Sequence, residues 1–426
     1  MSSLSFKENG SYVDLLGSPR VFLHEINTLP MFSKIISAVD EIEKYERVLP
    51  ISRTNDIVLA KSEPEKSYVQ WLRSVGLGAG KLLVVNGKTN ETLPERVLKN
   101  GFRNKVDNYL GKQKEHASVC PYYGGRLEQN ASRHLNLNMY ANSKLVRKYD
   151  SKVNFKALCK NVGVPVVEDV ILDRRSNLSK ENLNSNLKKI QELLSFTGKI
   201  IVKGEFGASG STTHVYNNFE MKNLKQIVVA HDPNNKILIE PFFRLTSSPS
   251  SLWFISQDKT ISHIKTSDQF FSDQVVHEGN EFPFKFNEKE INTLSFKIAT
   301  QLAKNGYIGP FGIDFIESDN NFYAVECNPR VTGATYPWEL VHLLNSKHGK
   351  SDYIKSARAQ NIHLSKKFLT FKQLMYKWKK YLYTGDSPNG VVLPYNVGPI
   401  KSGKISVLIT GSSKKEVFEL FEKINC

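Results

Sequence analysis

Two strand-like segments late in the chain decide the fold: Gly309-Pro-Phe-Gly-Ile-Asp-Phe-Ile316 and Asn321-Phe-Tyr-Ala-Val-Glu-Cys-Asn328. A short turn separates them, which predicts a pair of neighbouring strands. Because side chains alternate across a strand, Glu326 and Asn328 project from the same face, and the neighbouring strand can bring Asp314 beside them. We therefore expect two carboxylates and an amide oxygen to converge.

Oxygen donors of this kind suit Mg²⁺, which commonly bridges protein carboxylates and substrate phosphates. The alternative is that Asp314 and Glu326 are surface charges, but their neighbours are apolar, and burial of two carboxylates without a cation is costly. The predicted metal ligands are Asp314, Glu326 and Asn328, with Mn²⁺ as an alternative metal. Arg330, just beyond them, is predicted as a catalytic residue that donates to a phosphate or acyl-phosphate oxygen.

A glycine-rich stretch earlier in the chain, Lys203-Gly-Glu-Phe-Gly-Ala-Ser-Gly-Ser211, has the composition of a phosphate-covering loop. Its glycines let backbone amides face an anion, its serines add hydroxyl donors, and its lysine adds a charge. It is not a P-loop, because no Gly-Lys-Ser/Thr closes it before a helix. A plain hairpin turn is the alternative. The predicted phosphate contacts are Lys203, Gly207, Ala208, Ser209, Gly210 and Ser211, and Lys203 is also predicted to be catalytic.

The segment Ile237-Leu-Ile-Glu-Pro-Phe-Phe243 combines a short apolar strand with an acidic residue and a proline. The end of such a strand offers backbone groups to a purine edge and a carboxylate to an amine or a ribose hydroxyl. A core strand that ends at an exposed Glu240 is the alternative. The predicted nucleotide contacts here are Ile239, Glu240 and Phe242.

Hydrophobic patterning predicts a mixed α/β organisation. Between residues 52 and 85, two apolar strands flank a helical segment, which is typical of a βαβ unit and a small parallel sheet. The pattern changes to helical spacing near Asn142, where we place a domain boundary. From about Lys366 onward, a helix, a strand and a closing helix predict a small α/β cap.

The chain has 58 Lys and Arg against 42 Asp and Glu, a net charge of +16. The excess favours an anionic partner such as nucleic acid, a membrane surface or a phosphorylated metabolite, although dispersed lysines that aid solubility would give the same number. The four cysteines are far apart, which predicts reduced thiols in a cytoplasmic protein. No run of 18 apolar residues and no signal-peptide core occurs, so we expect no membrane association.

In order and spacing, residues 142 to 340 resemble the ATP-grasp superfamily. The resemblance rests on five elements: a lysine segment at Asn142-Ser-Lys144, a second lysine strand at Val202-Lys203, a lid at Gly204 to Ser211, an adenine-side hinge at Ile239-Glu240, and the metal set Asp314, Glu326 and Asn328. It implies ATP and Mg²⁺ as cofactors, with Lys144 and Lys203 on the ATP phosphates. Arg330 matches a phosphate-binding arginine of such enzymes.

The resemblance also implies a domain order. Residues 1–141 are expected to form a pre-ATP-grasp α/β domain, residues 142–345 the ATP-grasp domain with a lid subdomain at about 165–240, and residues 346–426 the cap. The tail from Val391 to Pro399 resembles peptide ligases of the pheganomycin type, which belong to natural-product biosynthesis.

The implied activity is that of an ATP-dependent ligase. It would form an acyl-phosphate from an amino acid or peptide carboxylate and couple it to an amine, giving an amide or peptide bond and releasing ADP and phosphate. The alternatives are acylation of a carrier-protein thiol and, more distantly, a basic nucleic-acid-binding protein with a vestigial ATP site. A homodimer is left open, and the turn from Thr332 to Thr335 is a candidate for the acceptor pocket.

Overall fold

The computed structural model describes residues 6–8, 10–29, 46–99, 101–173, 179–207, 213–230, 235–272, 275–349, 352–364 and 370–425. Four predicted phosphate contacts, Ala208, Ser209, Gly210 and Ser211, lie outside the described residues.

Within these ranges strands and helices are mixed along the chain, and the four strands between residues 237 and 282 follow one another without a helix between them. The strands are β1 (Lys7–Glu8), β2 (Arg20–Leu23), β3 (Ile57–Ala60), β4 (Lys81–Val84), β5 (Ser118–Pro121), β6 (Asn138–Met139), β7 (Val170–Leu172), β8 (Ile200–Gly204), β9 (Thr213–Tyr216), β10 (Ile237–Pro241), β11 (Pro249–Ile255), β12 (Ile261–Ser272), β13 (Val276–Phe282), β14 (Gly309–Ser318), β15 (Asn321–Asn328), β16 (Ser356–His363), β17 (Val391–Asn396) and β18 (Lys404–Gly411). The helices are α1 (Tyr12–Leu15), α2 (Lys66–Ser74), α3 (Leu93–Val97), α4 (Phe102–Leu110), α5 (Arg126–Leu135), α6 (Ser143–Asp150), α7 (Lys152–Asn161), α8 (Lys180–Thr197), α9 (Met221–Ala230), α10 (Glu288–Lys304), α11 (Thr335–Lys347), α12 (Phe371–Trp378) and α13 (Lys414–Asn425).

The N-terminal part forms a parallel sheet in the order β4-β3-β2-β5-β6. The predicted βαβ unit is confirmed as β3-α2-β4. Both faces of the sheet are covered: Phe22 and Val58 face one core, while Val21 and Ile57 face another. This double burial explains why the strands are continuous apolar runs.

A second sheet dominates the rest of the chain, with nine strands in the described residues and the order β15-β14-β11-β12-β13-β16-β18-β17; β1 pairs with β12 off this path. Helix α10, capped by the Asn287 side chain, packs against β11 and β12. The strands of residues 356–411, within the expected cap, continue this sheet beyond β13. The mixed α/β fold expected from the sequence is therefore confirmed.

A smaller antiparallel sheet, β7-β10-β8-β9, has an apolar core of its own beneath α8 and α9. Strand β7 begins at Val170, three residues after Val167. The carbonyl of Val167 accepts a hydrogen bond from Lys156 Nζ at 2.7 Å. This hydrogen bond connects the segment before the small sheet to α7.

Two further expectations concern cysteines and membranes. The thiols of Cys120, Cys159 and Cys327 are buried and free of disulfides. Among the helices in the described ranges, none is both long and apolar enough to cross a bilayer.

Candidate active site

A cavity of about 600 Å³ lies where the three sheets meet. The parallel sheet and its loops contribute Arg47 and Tyr122, the small sheet contributes Lys203 and Glu240, and the large sheet contributes β14 and β15. A concave space of this size, with charged and polar groups beside apolar wall segments, suits a small-molecule substrate with both kinds of group.

The structure brings Asp314, Glu326 and Asn328 together on one wall of this cavity. Asp314 and Glu326 are direct partners in the antiparallel register of β14 and β15. The Asn328 amide nitrogen donates to Asp314 Oδ2 at 2.8 Å and lies 3.4 Å from Glu326 Oε1. Gln269 Nε2 donates to Asp314 Oδ1 at 2.9 Å. Strand alternation thus places the three side chains where the sequence predicts them.

The positive charges near the two carboxylates do not keep both of them ionised at neutral pH. Burial, reinforced by the neighbouring Glu326 charge, raises the pKa of Asp314 to about 7. Burial also acts to raise the pKa of Glu326, but Lys152, with Nζ 2.7 Å from Glu326 Oε2, lowers it below its ordinary value. A divalent cation would relieve the remaining excess of negative charge.

The donor set fits Mg²⁺. It contains two carboxylates and, after a half-turn of the Asn328 amide, a third oxygen. Across the described ranges, no group of three or more His, Cys, Asp or Glu residues has a metal-binding arrangement, so this pair with its amide is the best candidate for a metal.

Lys152 is a site residue that the sequence analysis missed. It begins α7, which packs against β15, and its side chain lines the cavity. Ser151 caps α7 and also donates to Glu205 Oε1 at 2.5 Å, while Lys236 N donates to Glu205 Oε2 at 2.9 Å. Glu205 therefore fixes the start of α7 to the small sheet.

The predicted phosphate contact Lys144 has a different position. It is exposed at the start of α6 and is not among the residues that line the cavity. The helix that carries it packs beside α7, but its first turn does not reach the carboxylates. The signal for Lys152 was present in the sequence as Ser151, a capping residue, immediately before a helical apolar pattern.

Lys203 and Glu240 face each other across β8 and β10. Lys203 Nζ lies 2.7 Å from Glu240 Oε2, and Lys156 Nζ lies 2.7 Å from Glu240 Oε1. Burial acts to raise the pKa of Glu240, but the two lysines lower it. Both oxygens of Glu240 are thus occupied by protein cations, so its carboxylate orients Lys203.

Beside this pair the cavity wall is apolar. Ile201, Phe242 and Ile316 line it, and Phe243 stacks on Tyr323. Such a surface suits a purine ring. The predicted contact Phe242 lies here. Ile239 is buried in the core of the small sheet, and neither Ile239 nor Gly207 lines the cavity.

Arg330 lies next to the carboxylate pair. Its Nη2 donates to Asn328 Oδ1 at 2.6 Å, and its guanidinium lies 5.5 Å from the centre of the Tyr122 ring. Burial acts to lower the pKa of Arg330, but Tyr122 and nearby carboxylates raise it, so the group stays charged. Within the described residues, its buried Nε has no hydrogen-bond partner.

The wall beyond Arg330 contains the small-residue turn that was suggested for an acceptor pocket. Thr332, Gly333 and Ala334 line the cavity, as do His277 and Glu278 from β13. Burial lowers the pKa of His277, which keeps its ring neutral.

Comparison with known protein families gives one match. The family model described as the ATP-grasp domain matches residues 154–334. These residues form an ATP-grasp domain. The matched range contains Lys203, Glu240, the carboxylate pair and Arg330, and it begins just after Lys152.

Solved structures place the ATP-grasp domain in a wider fold. An N5-carboxyaminoimidazole ribonucleotide synthetase crystallised with ADP superposes with a TM-score of 0.60 at 10% identity, covering 100% of this chain and 98% of the other. The same enzyme from Thermus thermophilus gives a TM-score of 0.59 at 14% identity, covering 95% and 97%. A biotin carboxylase from Campylobacter jejuni, in a complex with an ATP analogue, gives 0.59 at 12%, covering 98% and 90%. At these identities the likeness concerns the fold.

A search of curated protein sequences finds no match to this chain. The ATP-grasp domain is therefore recognised by its family model and its fold.

Proposed function

We propose that this protein is an ATP-dependent ligase that converts a carboxylate to an acyl-phosphate and couples it to an amine, forming an amide or peptide bond. The observation that carries the proposal is the arrangement of one cavity. Lys152 and Lys203 border the Asp314 and Glu326 pair, and Arg330 lies directly beside it. The ATP-grasp domain and its nucleotide-bound structural neighbours support the same conclusion.

ATP would bind with its purine against the apolar wall at Ile201, Phe242 and Ile316. Its phosphates would then extend toward Lys203 and Lys152. Lys152 takes the role that the sequence analysis gave to Lys144, because Lys152 lines the cavity and Lys144 does not. The charges on both lysines favour the transferring phosphoryl group.

Asp314, Glu326 and Asn328 would hold Mg²⁺. When bound, the metal neutralises phosphate charge and orients the phosphates. Lys152 balances one of the two carboxylates, and Gln269 fixes the orientation of Asp314.

The reaction needs no protein nucleophile. A carboxylate oxygen of the donor attacks the γ-phosphorus, and the bond to ADP breaks. Arg330 lines the cavity and has a buried Nε without a partner among the described residues, so it would donate to the acyl-phosphate. The amine then attacks the acyl carbon, phosphate leaves with the bonding electrons, and the nitrogen loses a proton to water. Positioning and charge neutralisation supply the catalysis.

Hydroxylamine tests this function without knowledge of the natural amine. The protein is incubated with ATP, Mg²⁺, hydroxylamine and single amino acids or dipeptides, and both ADP and hydroxamate are measured. An acyl-phosphate predicts equal amounts of the two products with at least one carboxylate. Absence of ADP and hydroxamate with every carboxylate in a protein that binds ATP would refute the proposal. Mass detection of the product with a natural amine, or with a carrier-protein thiol, then separates amide formation from thiol acylation.

A further inference from the structure

We infer that Arg47 binds an anionic group of the acceptor, so that the acceptor is an amine that also carries a carboxylate or a phosphate. The inference rests on the proposed function and specifies its second substrate. Arg47 comes from the N-terminal part of the chain, outside the ATP-grasp match, and lines the same cavity as Arg330.

The two arginines pack on a connected cluster of three rings, of which Tyr122 lines the cavity and His24 and Tyr336 lie buried behind it. Arg330 lies over Tyr122, with 5.5 Å to the ring centre, and Arg47 lies over Tyr336 at 5.9 Å. His24 joins the two tyrosines: its ring is 6.1 Å from Tyr122 and 5.6 Å from Tyr336, and its Nδ1 is 2.8 Å from the Tyr336 hydroxyl. The cluster therefore holds both guanidinium groups in fixed positions.

Arg47 lacks a counterion within the described ranges. No carboxylate there forms an ion pair with it, and its Nε is buried without a hydrogen-bond partner. Two other shielded arginines of this chain have acidic partners: Arg20 with Asp56 at 2.9 Å, and Arg358 with Glu281 at 3.2 Å. Buried Arg96 instead donates to three backbone carbonyls. A shielded guanidinium without an acidic partner is costly unless a ligand supplies the anion.

The titratable groups around Arg47 do not supply that anion. Burial, assisted by the Arg47 charge, lowers the pKa of His24 to about 3, and burial and Arg47 also lower the pKa of His277. Burial raises the pKa of Tyr336 and of Tyr395, so both phenols stay protonated. None of these four rings therefore carries a negative charge that could pair with Arg47.

The position of Arg47 separates it from the phosphoryl-transfer groups. Its Nη1 is 4.0 Å from the place that a Cβ on Gly333 would occupy, and Gly333 belongs to the turn that follows Arg330. Among the described residues, Arg47 has no hydrogen bond or ion pair with Lys152, with Lys203 or with the carboxylate pair. An anion on Arg47 would therefore lie beyond the acyl-phosphate, on the side from which an acceptor enters.

Guanidinium geometry suits either of two anions. The parallel N–H donors of a guanidinium match a carboxylate and a phosphate equally well. An amine without such a group has no anionic acceptor for these donors. The shared chemistry is an anionic group, and the identity of that group is decided by experiment.

The test compares Arg47→Gln, Arg47→Lys and Arg103→Gln with the wild type. Arg103 is on the exposed face of α4 and serves as the matched control. The donor is the carboxylate that gives most hydroxamate. Acceptor pairs are amino acids with their carboxamides, and phosphoethanolamine with ethanolamine, with KM and kcat measured for each.

We expect the wild type to use one anionic acceptor at much lower KM than its neutral counterpart. Arg47→Gln should raise that KM by about 10- to 100-fold, the loss of one charge-assisted, two-pronged contact. Hydroxamate formation and the KM for ATP should be unchanged in this variant. Arg47→Lys should recover part of the affinity, and Arg103→Gln should match the wild type.

Preference for amino acids over carboxamides identifies a carboxylate, and preference for phosphoethanolamine identifies a phosphate. Equal use of anionic and neutral acceptors, or no use of any anionic acceptor, overturns the inference while hydroxamate formation leaves the ligase function standing. A fall in hydroxamate formation in Arg47→Gln also overturns it, because Arg47 would then serve the donor. Failure of the wild type to form any hydroxamate removes the ligase function, and the inference with it.

Discussion

Two buried ionic clusters border the cavity, and they present opposite charges to it. In the small sheet, Glu240 is held by Lys156 and Lys203, each 2.7 Å away, and Lys156 also lies 3.2 Å from Asp169. In the large sheet, Asp314 and Glu326 share one close lysine, Lys152. We call the first the positive cluster, because Lys203 faces the cavity with a charge, and the second the negative cluster, because two carboxylates face the cavity.

The pKa values show the consequence. The lysines overcome the effect of burial and lower the pKa of Glu240, whereas burial and the Glu326 charge raise the pKa of Asp314 to about 7. The small sheet thus presents the Lys203 cation to an anionic ligand, and the large sheet presents carboxylate oxygens to a cation. A phosphate chain with a bound metal ion satisfies both clusters at once.

The largest effect is expected when the negative cluster loses a charge. Glu326→Gln should lower the rate of ADP formation by about 10³-fold, because the site loses half of its charge toward the metal. The fold should survive, since the amide oxygen still accepts a hydrogen bond from Lys152. ADP release and a melting curve measure the two properties.

Asp319→Asn is the control, since Asp319 is exposed in the turn between β14 and β15. It should leave turnover unchanged. Normal ADP formation by Glu326→Gln would remove the metal assignment.

The positive cluster contains a matched pair of lysines. Lys203→Met and Lys156→Met each take one cation from Glu240, and Lys203→Met should destabilise the protein by about 2 kcal/mol. Lys156→Met should destabilise it more, because it also removes the partner of Asp169 and of the Val167 carbonyl. Only Lys203 lines the cavity, so only Lys203→Met should also raise the KM for ATP, by about 10- to 100-fold. Thermal unfolding and ATP titrations separate the two effects. Equal KM changes in both variants would show that Lys203 acts through Glu240 alone.

A pH series tests whether Asp314 has a raised pKa beside Glu326. Folded Asp314 keeps its proton up to a pH of about 7, whereas the unfolded chain releases it near the ordinary value of 3.8. Without a divalent cation, this residue therefore removes stability as the pH rises through that window. Asp314→Asn lacks this effect, so its melting temperature relative to wild type should increase between about pH 5 and about pH 8.

Added Mg²⁺ should stabilise wild type more at the higher pH, where no proton has to leave, and should have little effect on Asp314→Asn. The comparison with wild type is needed because the buried Glu128 and Glu339 also have pKa values raised to about 7. A constant difference between the two proteins across the series would contradict the assignment.

The smallest effect concerns the link between the clusters. Ser151→Ala removes the cap of α7 and the hydrogen bond to Glu205, which should cost about 1 kcal/mol of stability and shift Lys152 enough to reduce kcat by a few-fold. Ser179→Ala removes the equivalent cap of α8 and should cost similar stability with no change in kcat. The same kcat in both variants would show that the cap does not position Lys152.

Local patterns were enough to predict the carboxylate wall. Asp314, Glu326 and Asn328 lie on adjacent strands joined by a short turn, so alternation and one register decide their positions. The same logic predicted the unit β3-α2-β4. It gave no prediction for β2 and β5, because their places in the parallel sheet depend on partners far away in sequence.

Residues that depend on packing between distant elements were not predictable. Lys152 reaches Glu326 only because α7 packs against β15, whereas Lys144 offers an equally plausible helix start. Arg47 precedes Arg330 by most of the chain, and no sequence spacing connects them. The expected cap likewise joins the large sheet through β13 and β16, a pairing that no local pattern specifies.

The separate apolar core of the small sheet has a mechanical consequence. Val202, Ile237 and Phe219 pack with one another and not with the main core. Polar links such as Ser151 to Glu205 join this sheet to α7, so their loss would loosen the attachment of the sheet without disrupting its own core. Because salt weakens ionic interactions, these links should loosen as ionic strength rises. The rate of ADP release should then increase.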